Sequence, residues 1–138
     1  MKKTKRFVID ANTLISAFIL STQTTAARAW YKAKENGLII VSEETLAEFA
    51  DVFIRPKFDK YVSAAKRLTI IEDFKTITEV VTPSQTITIC RDEKDNKYLE
   101  LALAGHADCI ITGDLDLLIL HPFDGIPILT AADFVKVF

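Results

Sequence analysis

The sequence is short of the residues that mark special protein classes. Glycine and proline number four each in 138 residues, too few for a collagenous or low-complexity chain. Cysteine occurs twice, at Cys90 and Cys109, without the spacing of a disulfide framework. Both are expected to be buried small hydrophobes. The two histidines, His106 and His121, lack zinc-ligand spacing and are expected in loops or at the surface. No apolar run reaches the ~18–20 residues of a membrane span. Met1-Lys2-Lys3-Thr4-Lys5-Arg6 is basic like the start of a signal peptide, but Asp10 and Asn12 interrupt the apolar stretch behind it. A cytoplasmic protein is therefore expected. There is no repeat, charged tail or linker, so one domain over 1–138 is expected. Net charge is also scarce. A formal −2, taken alone, counts against a nucleic-acid binder.

What is present fits a folded globule: 49% hydrophobic and 26% charged residues, which excludes disorder. The near-neutral total hides an asymmetry. The first 75 residues hold 13 of the 17 Lys and Arg and 9 of the 19 acids, a net +4; the rest hold 4 and 10, a net −6. From Tyr98 onward only Lys136 is basic. An acidic half is a solvated surface, a partner-binding face or a cation site, and spacing has to decide among them.

Short apolar runs alternate with helical stretches. Phe7-Val8-Ile9, Leu38-Ile39-Ile40-Val41 and Cys109-Ile110-Ile111-Thr112 read as buried strands. Ile126-Pro127-Ile128-Leu129 reads as a strand at an edge, because of Pro127. Helices are predicted over 14–20 and over 25–36, the latter stopped by Gly37. Ser42 caps a third, with Leu46, Phe49, Ala50 and Phe53 inward and Pro56 ending it. Ser63 caps a fourth, with Ile70, Ile71, Phe74 and Ile77 inward. A helix over 95–104 turns Tyr98, Leu99, Ala102 and Leu103 inward, and shorter ones follow over 115–120 and after Thr130. Glu79-Val80-Val81 and Thr86-Ile87-Thr88-Ile89 are β-rich and separated by Pro83. The alternation predicts an α/β fold in three layers, α/β/α, around a mostly parallel sheet of four to five strands.

In such sheets, ligands sit beyond the carboxyl ends of the strands, at a topological switch point. The first strand ends at Asp10. The strand at 109–112 leads to Gly113 and Asp114, and Asp95 opens the helix before it. Carboxylates meeting at one rim repel and push each other's pKa up. A hard divalent cation takes oxygen ligands and removes that repulsion. It also activates a bound water and stabilises charge on a phosphoryl oxygen. Clustered acids without histidine thus suggest metal-dependent phosphodiester chemistry. The plainer reading of each acid is a helix cap. Asp92 is read as a turn residue and stays open as an alternative ligand. Glu48 lies roughly opposite its helix's apolar stripe, where a solvated glutamate is the default.

Three segments resemble the motifs of the PIN-domain ribonuclease family, in particular the prokaryotic PIN proteins regarded as toxins of toxin–antitoxin modules. They are Phe7-Val8-Ile9-Asp10-Ala11-Asn12-Thr13-Leu14, Arg91-Asp92-Glu93-Lys94-Asp95-Asn96-Lys97-Tyr98-Leu99, and Ile111-Thr112-Gly113-Asp114-Leu115-Asp116. Leu46-Ala47-Glu48-Phe49 matches the family's helical glutamate, and Arg55-Pro56-Lys57-Phe58 and Gly125-Ile126-Pro127-Ile128-Leu129-Thr130 also resemble this subgroup. The resemblance spans nearly the whole chain, with little motif content over 60–90. It implies a PIN-like fold and a metal-binding, catalytic quartet of Asp10, Glu48, Asp95 and Asp114, with Asp116 as a fifth acid. It makes Asn12 and Thr112 polar supports. It also implies an endoribonuclease acting on single-stranded RNA with Mg²⁺ or Mn²⁺ and leaving a 5′-phosphate and a 3′-hydroxyl. A cognate antitoxin and a homodimer are its implied partners.

Other readings stay open beside this one. Arg55, Lys57, Lys60, Lys66 and Arg67 form either an RNA-backbone track, with salt-dependent binding, or a solvated helix face. Trp30 and Tyr31 belong to the core or, for one of them, to an interface. A PIN fold that binds RNA or protein without cleaving is the alternative function; a full acid set argues against it. An acid-phosphatase-like enzyme with Asp10 as nucleophile ranks third, because Asn12 stands where that class wants a second aspartate.

Overall fold

The computed structural model describes residues 4–19 and 23–138. The basic Lys2 and Lys3, and Leu20 at the predicted end of the first helix, lie outside the described residues. Strand β1 (Lys5–Ile9) leads into helix α1 (Ala11–Ile19). Then follow α2 (Thr25–Asn36), β2 (Gly37–Val41) and α3 (Glu43–Phe53). A 3₁₀ turn (Pro56–Phe58) precedes α4 (Ala64–Ile77) and β3 (Glu79–Val80). A second 3₁₀ turn (Glu93–Asp95) runs into α5 (Asn96–Ala104), followed by β4 (Cys109–Ile111), α6 (Leu115–Leu118), β5 (Ile128–Leu129) and α7 (Ala131–Val137).

The five strands are all parallel, in the order β3-β2-β1-β4-β5. The chain builds outward from β1 through β2 to β3, then crosses back to the other side of β1 for β4. The order therefore reverses between β1 and β4, and that is the switch point. The register Ile9↔Ile111 brings the carboxyl ends of β1 and β4 level.

Side-chain alternation divides the core in two. Phe7, Ile9, Ile39, Val41, Cys109 and Ile111 point to one face, where α1, α2, α3, α4 and α7 pack. Val8, Ile40 and Ile110 point to the other, under α5 and α6. The first face is aromatic: Trp30, Phe49, Phe53 and Phe74 interlock there, with Phe49 and Phe74 centroids 5.0 Å apart. The second is mostly aliphatic, with Leu99, Leu101 and Leu117 fully buried. Burying each such side chain contributes about 1.5–3 kcal/mol.

Local chemistry sets the element ends. Ser42 and Thr45 form a reciprocal capping box at α3, and Ser63 and Thr130 cap α4 and α7 through their side chains. Gly37 is needed because β2 starts against β1: a Cβ there would stand 2.3 Å from the Lys5 carbonyl oxygen. Asp124 and Gly125 take positive φ values of 50° and 79° in the tight turn before β5.

One β-rich segment stays out of the sheet, and three expectations are corrected. Thr86-Ile87-Thr88-Ile89 forms no strand. Its backbone is held at Ile87 instead, whose N–H donates to Glu100 Oε2 of α5 (2.8 Å). In α5 it is Leu101 that is buried, with Leu103 only half-buried. In α4 Ile77 is exposed, and the buried row starts at Arg67 and continues through Ile71 and Phe74. Asp95 closes the 3₁₀ turn rather than lying inside α5. Trp30 is core and Tyr31 is exposed. Both cysteines are buried. Among the described residues no helix is long and apolar enough to cross a membrane.

Candidate active site

Asp10 follows β1 directly. Its N–H donates to the Ile111 carbonyl (3.1 Å), so the pairing with β4 runs one residue further and fixes the side chain at the switch point. The carboxylate is buried and held at both oxygens. Thr13 N–H donates to Oδ1 (2.9 Å), and the Thr112 hydroxyl donates to Oδ2. Burial pushes this carboxyl above its ordinary range; the bonds from Thr112 and Thr13 oppose that, and the Asp114 charge adds to it. The Thr112 hydroxyl also accepts from Asp114 N–H (2.9 Å). One hydroxyl thus orients the aspartates of two motifs.

Asp114 caps α6, its Oδ1 accepting from Asp116 N–H (2.8 Å). Asp92 caps the 3₁₀ turn that delivers Asp95, through a bond from Lys94 N–H (3.0 Å). Asn96 Oδ1 accepts from Cys90 N–H (2.9 Å) and anchors the preceding loop. These local bonds bring carboxylate oxygens of Asp95, Asp114 and Asp116 within 4.8 Å of one another. Asp95 is only 8% exposed, and its Oδ2 is enclosed without a hydrogen-bond partner. Burial first, then the facing Asp114 carboxyl and the charge of Asp92, push Asp95 up to about 7; Lys97 acts in the opposite sense.

Glu48 enters from α3. The Tyr98 hydroxyl donates to its Oε1 and accepts from Ala11 N–H (3.1 Å), while Lys97 Nζ stands 3.0 Å from Oε2. Burial, then the Glu48 carboxylate, push the Tyr98 phenol upward. An open cleft of about 290 Å³ is lined by Asp10, Asn12, Glu48, Asp95, Tyr98 and Asp114, and by the cations Arg55, Lys57 and Lys94. A second opening, about 330 Å³, shares Asp10, Asn12 and Asp114 and adds Ser16 and Gly113. Asp116 lies at the edge of the cluster, with Arg91 Nη1 4.0 Å from its Oδ1.

Four sequence-predicted acids, Asp10, Glu48, Asp95 and Asp114, therefore line one cleft. Asp116 joins two of them in the tight trio. Asn12 lines the cleft, and Thr112 supports it from within the core. Arg55 and Lys57 line it too. Lys60 does not; its ammonium lies over the Tyr61 ring, 5.1 Å from the centroid. Arg67 is neither a phosphate contact nor part of a solvated face. It is fully buried: Nε donates to Val62 O (3.0 Å), Nη1 to Phe53 O (2.7 Å) and Arg55 O (3.0 Å), and Nη2 pairs with Asp59. The planar guanidinium suits several carbonyls at once, and it ties down the turn that carries Arg55 and Lys57. Sequence reasoning missed the polar roles of Lys94, Lys97 and Tyr98. A signal existed for Tyr98, which lies three residues after Asp95 and so on the same helical side.

The donor set is all oxygen, it holds excess negative charge, and one buried oxygen has no partner. An orphaned buried carboxylate is costly, and a hard divalent cation offsets both costs. The residues present fit such an ion.

Comparisons with known proteins agree with this architecture. An uncharacterized protein of Methanocaldococcus jannaschii is 34% identical over 123 residues, covering 88% of this chain and 79% of that one. A chain of the VapBC2 complex of Rickettsia felis, solved with a DNA fragment from its promoter, superposes with a TM-score of 0.60 at 14% identity, covering 91% of this chain and 98% of that one. PAE2754 of Pyrobaculum aerophilum superposes with a TM-score of 0.61 at 14% identity, over 96% and 88%. At that identity the two structures speak for the fold alone. The sequence itself matches the PIN domain family over residues 6–116, a stretch that holds every acid of the cleft. The chain belongs to the PIN domain family, a family of nucleases.

Proposed function

We propose that this protein is an endoribonuclease that hydrolyses single-stranded RNA with Mg²⁺ or Mn²⁺, residues 1–138 acting as one domain. The observation that carries this reading is the enclosed, unpartnered Asp95 oxygen beside Asp114 and Asp116, in a cleft that also presents Arg55, Lys57 and Lys94. An acidic trio wants a cation, and neighbouring basic side chains suit a phosphodiester backbone.

Asp95, Asp114 and Asp116 would hold the ion, with Asp10 beside them. A bound divalent ion supplies a more acidic water and stabilises charge on a phosphoryl oxygen. The chain's own groups do the positioning. Thr112 fixes Asp10 and Asp114 relative to each other, and Tyr98 fixes Glu48 against the Ala11 backbone. Asn12, exposed in the cleft, is placed to donate to the substrate. Arg55 and Lys57 contact flanking phosphates.

The same reading makes the protein a toxin in the cytoplasm, working as a homodimer and held in check by a cognate antitoxin. The VapBC2 assembly with a similar chain fold supports that choice by analogy. The test is cleavage of a labelled single-stranded RNA by wild type, Asp10→Asn and Asp114→Asn, with Mn²⁺, Mg²⁺ or EDTA. Products with 5′-phosphate and 3′-hydroxyl ends are expected from wild type with metal, and none with EDTA or either variant. RNA binding without cleavage in any metal would instead favour a non-catalytic binding module.

A further inference from the structure

Resting on that metal reading, we propose that the Lys97 ammonium is the resident cation of Glu48: it takes the place of a second divalent ion beside that carboxylate and limits the site to one. Two-metal sites hold their ions roughly 3.5–4 Å apart, with carboxylates serving both. Here the carboxylates divide into two groups with different company. Asp95, Asp114 and Asp116 converge within 4.8 Å; Arg91 stands 4.0 Å from Asp116, and Lys97 reaches Asp95 only through its charge. Glu48 has both oxygens engaged, Oε1 by the Tyr98 hydroxyl and Oε2 by Lys97 Nζ at 3.0 Å.

The ammonium is fixed in place. It donates to the Lys94 carbonyl as well as facing Glu48, and the Lys97 side chain is only 12% exposed. Its Nζ also lies over the Tyr98 ring, 5.4 Å from the centroid. An ordinary surface lysine keeps its head in water; this one is turned in against Glu48. Consecutive residues of the first turn of α5 thus bind the two oxygens of one glutamate on α3. A second dication at Glu48 would have to displace Lys97 or stand beside it, where little water screens the repulsion. Glu48 is thereby a positioning residue, and Lys97 sets how many ions the site takes.

The experiment is calorimetric titration of Mn²⁺ into the full chain without RNA, for wild type, Lys97→Arg and Lys97→Met. One ion per chain is expected for wild type and Lys97→Arg. Two are expected for Lys97→Met, the second about tenfold weaker. If Lys97→Met fails to fold, Lys97→Gln replaces it, again with two ions expected. Two ions in wild type, or one in the folded neutral variant, overturns the proposal and leaves the metal-dependent nuclease reading standing. No ion in wild type overturns that reading itself.

Discussion

Glu48 and Asp95 line the same cleft, one from α3 and one from the turn before α5, and their surroundings differ. Glu48 meets a hydroxyl and an ammonium, one on each oxygen. Asp95 meets Asp114 and Asp116, and one of its oxygens is enclosed with no partner. A carboxylate whose charge is already answered is a fixed strut. A carboxylate crowded with its own kind is a place for a cation. The pairing also resolves the charge asymmetry of the sequence. Arg55 and Lys57 come from the basic half and Asp95 and Asp114 from the acidic half, and the fold lines one cleft with both.

The largest effect is expected on the Asp95 side. Asp114→Asn should lower single-turnover RNA cleavage with Mn²⁺ by about 10³-fold, some 4 kcal/mol of barrier. Glu48→Gln should cost less. If it cost more, the two carboxylates would have exchanged roles.

The next prediction concerns pH. Asp95 has its folded pKa at about 7, against an ordinary 3.8. The folded state therefore holds this proton more tightly than the unfolded state. The group's contribution to stability is fully present below about pH 4 and is lost as pH rises toward 7. In EDTA, Asp95→Asn should raise the melting temperature at pH 8 by about 4 °C or more, as about 1 kcal/mol would do. It should leave it nearly unchanged at pH 4. Scanning calorimetry at both pH values checks this, and an equal shift at each would contradict it. Wild-type affinity for Mn²⁺ should fall in step as pH drops below 7.

Tyr98→Phe tests the strut. It removes the donor to Glu48 and the acceptor for Ala11 N–H, and should lower cleavage about 10–100-fold with Mn²⁺ stoichiometry unchanged. The smallest effect belongs to the basic lining. Lys57→Ala should weaken RNA binding uniformly across sequences and reduce the salt slope by about 0.7, the share of one single-strand phosphate contact. A change in turnover at saturating RNA would instead place Lys57 at the reacting phosphate.

Much of this was legible in the residues. Apolar runs ending in Asp10 and leading to Asp114 locate two strand ends, and parallel-sheet topology turns those ends into neighbours. Other features depend on contacts that no local pattern encodes. Arg67 lies in a row of exposed residues in sequence, yet the turn over 53–62 closes around it and supplies three carbonyls and a carboxylate. Tyr98 reads as an inward apolar position; its hydroxyl becomes polar machinery only because α3 brings Glu48 to it. Thr86-Ile87-Thr88-Ile89 has strand composition but no sheet neighbour; Ile87 N–H goes instead to Glu100 on α5. In each case the deciding partner lies on another element.

The proposed place of the cation is among Asp95, Asp114 and Asp116, whose carboxylate oxygens converge within 4.8 Å. Crystals of the wild-type chain soaked in MnCl₂ and measured at the manganese absorption edge test it directly. One anomalous peak is expected, coordinated by oxygens of those three aspartates, with Lys97 still paired to Glu48. No peak in the cleft, or a peak coordinated by Glu48 with Lys97 displaced, would contradict it.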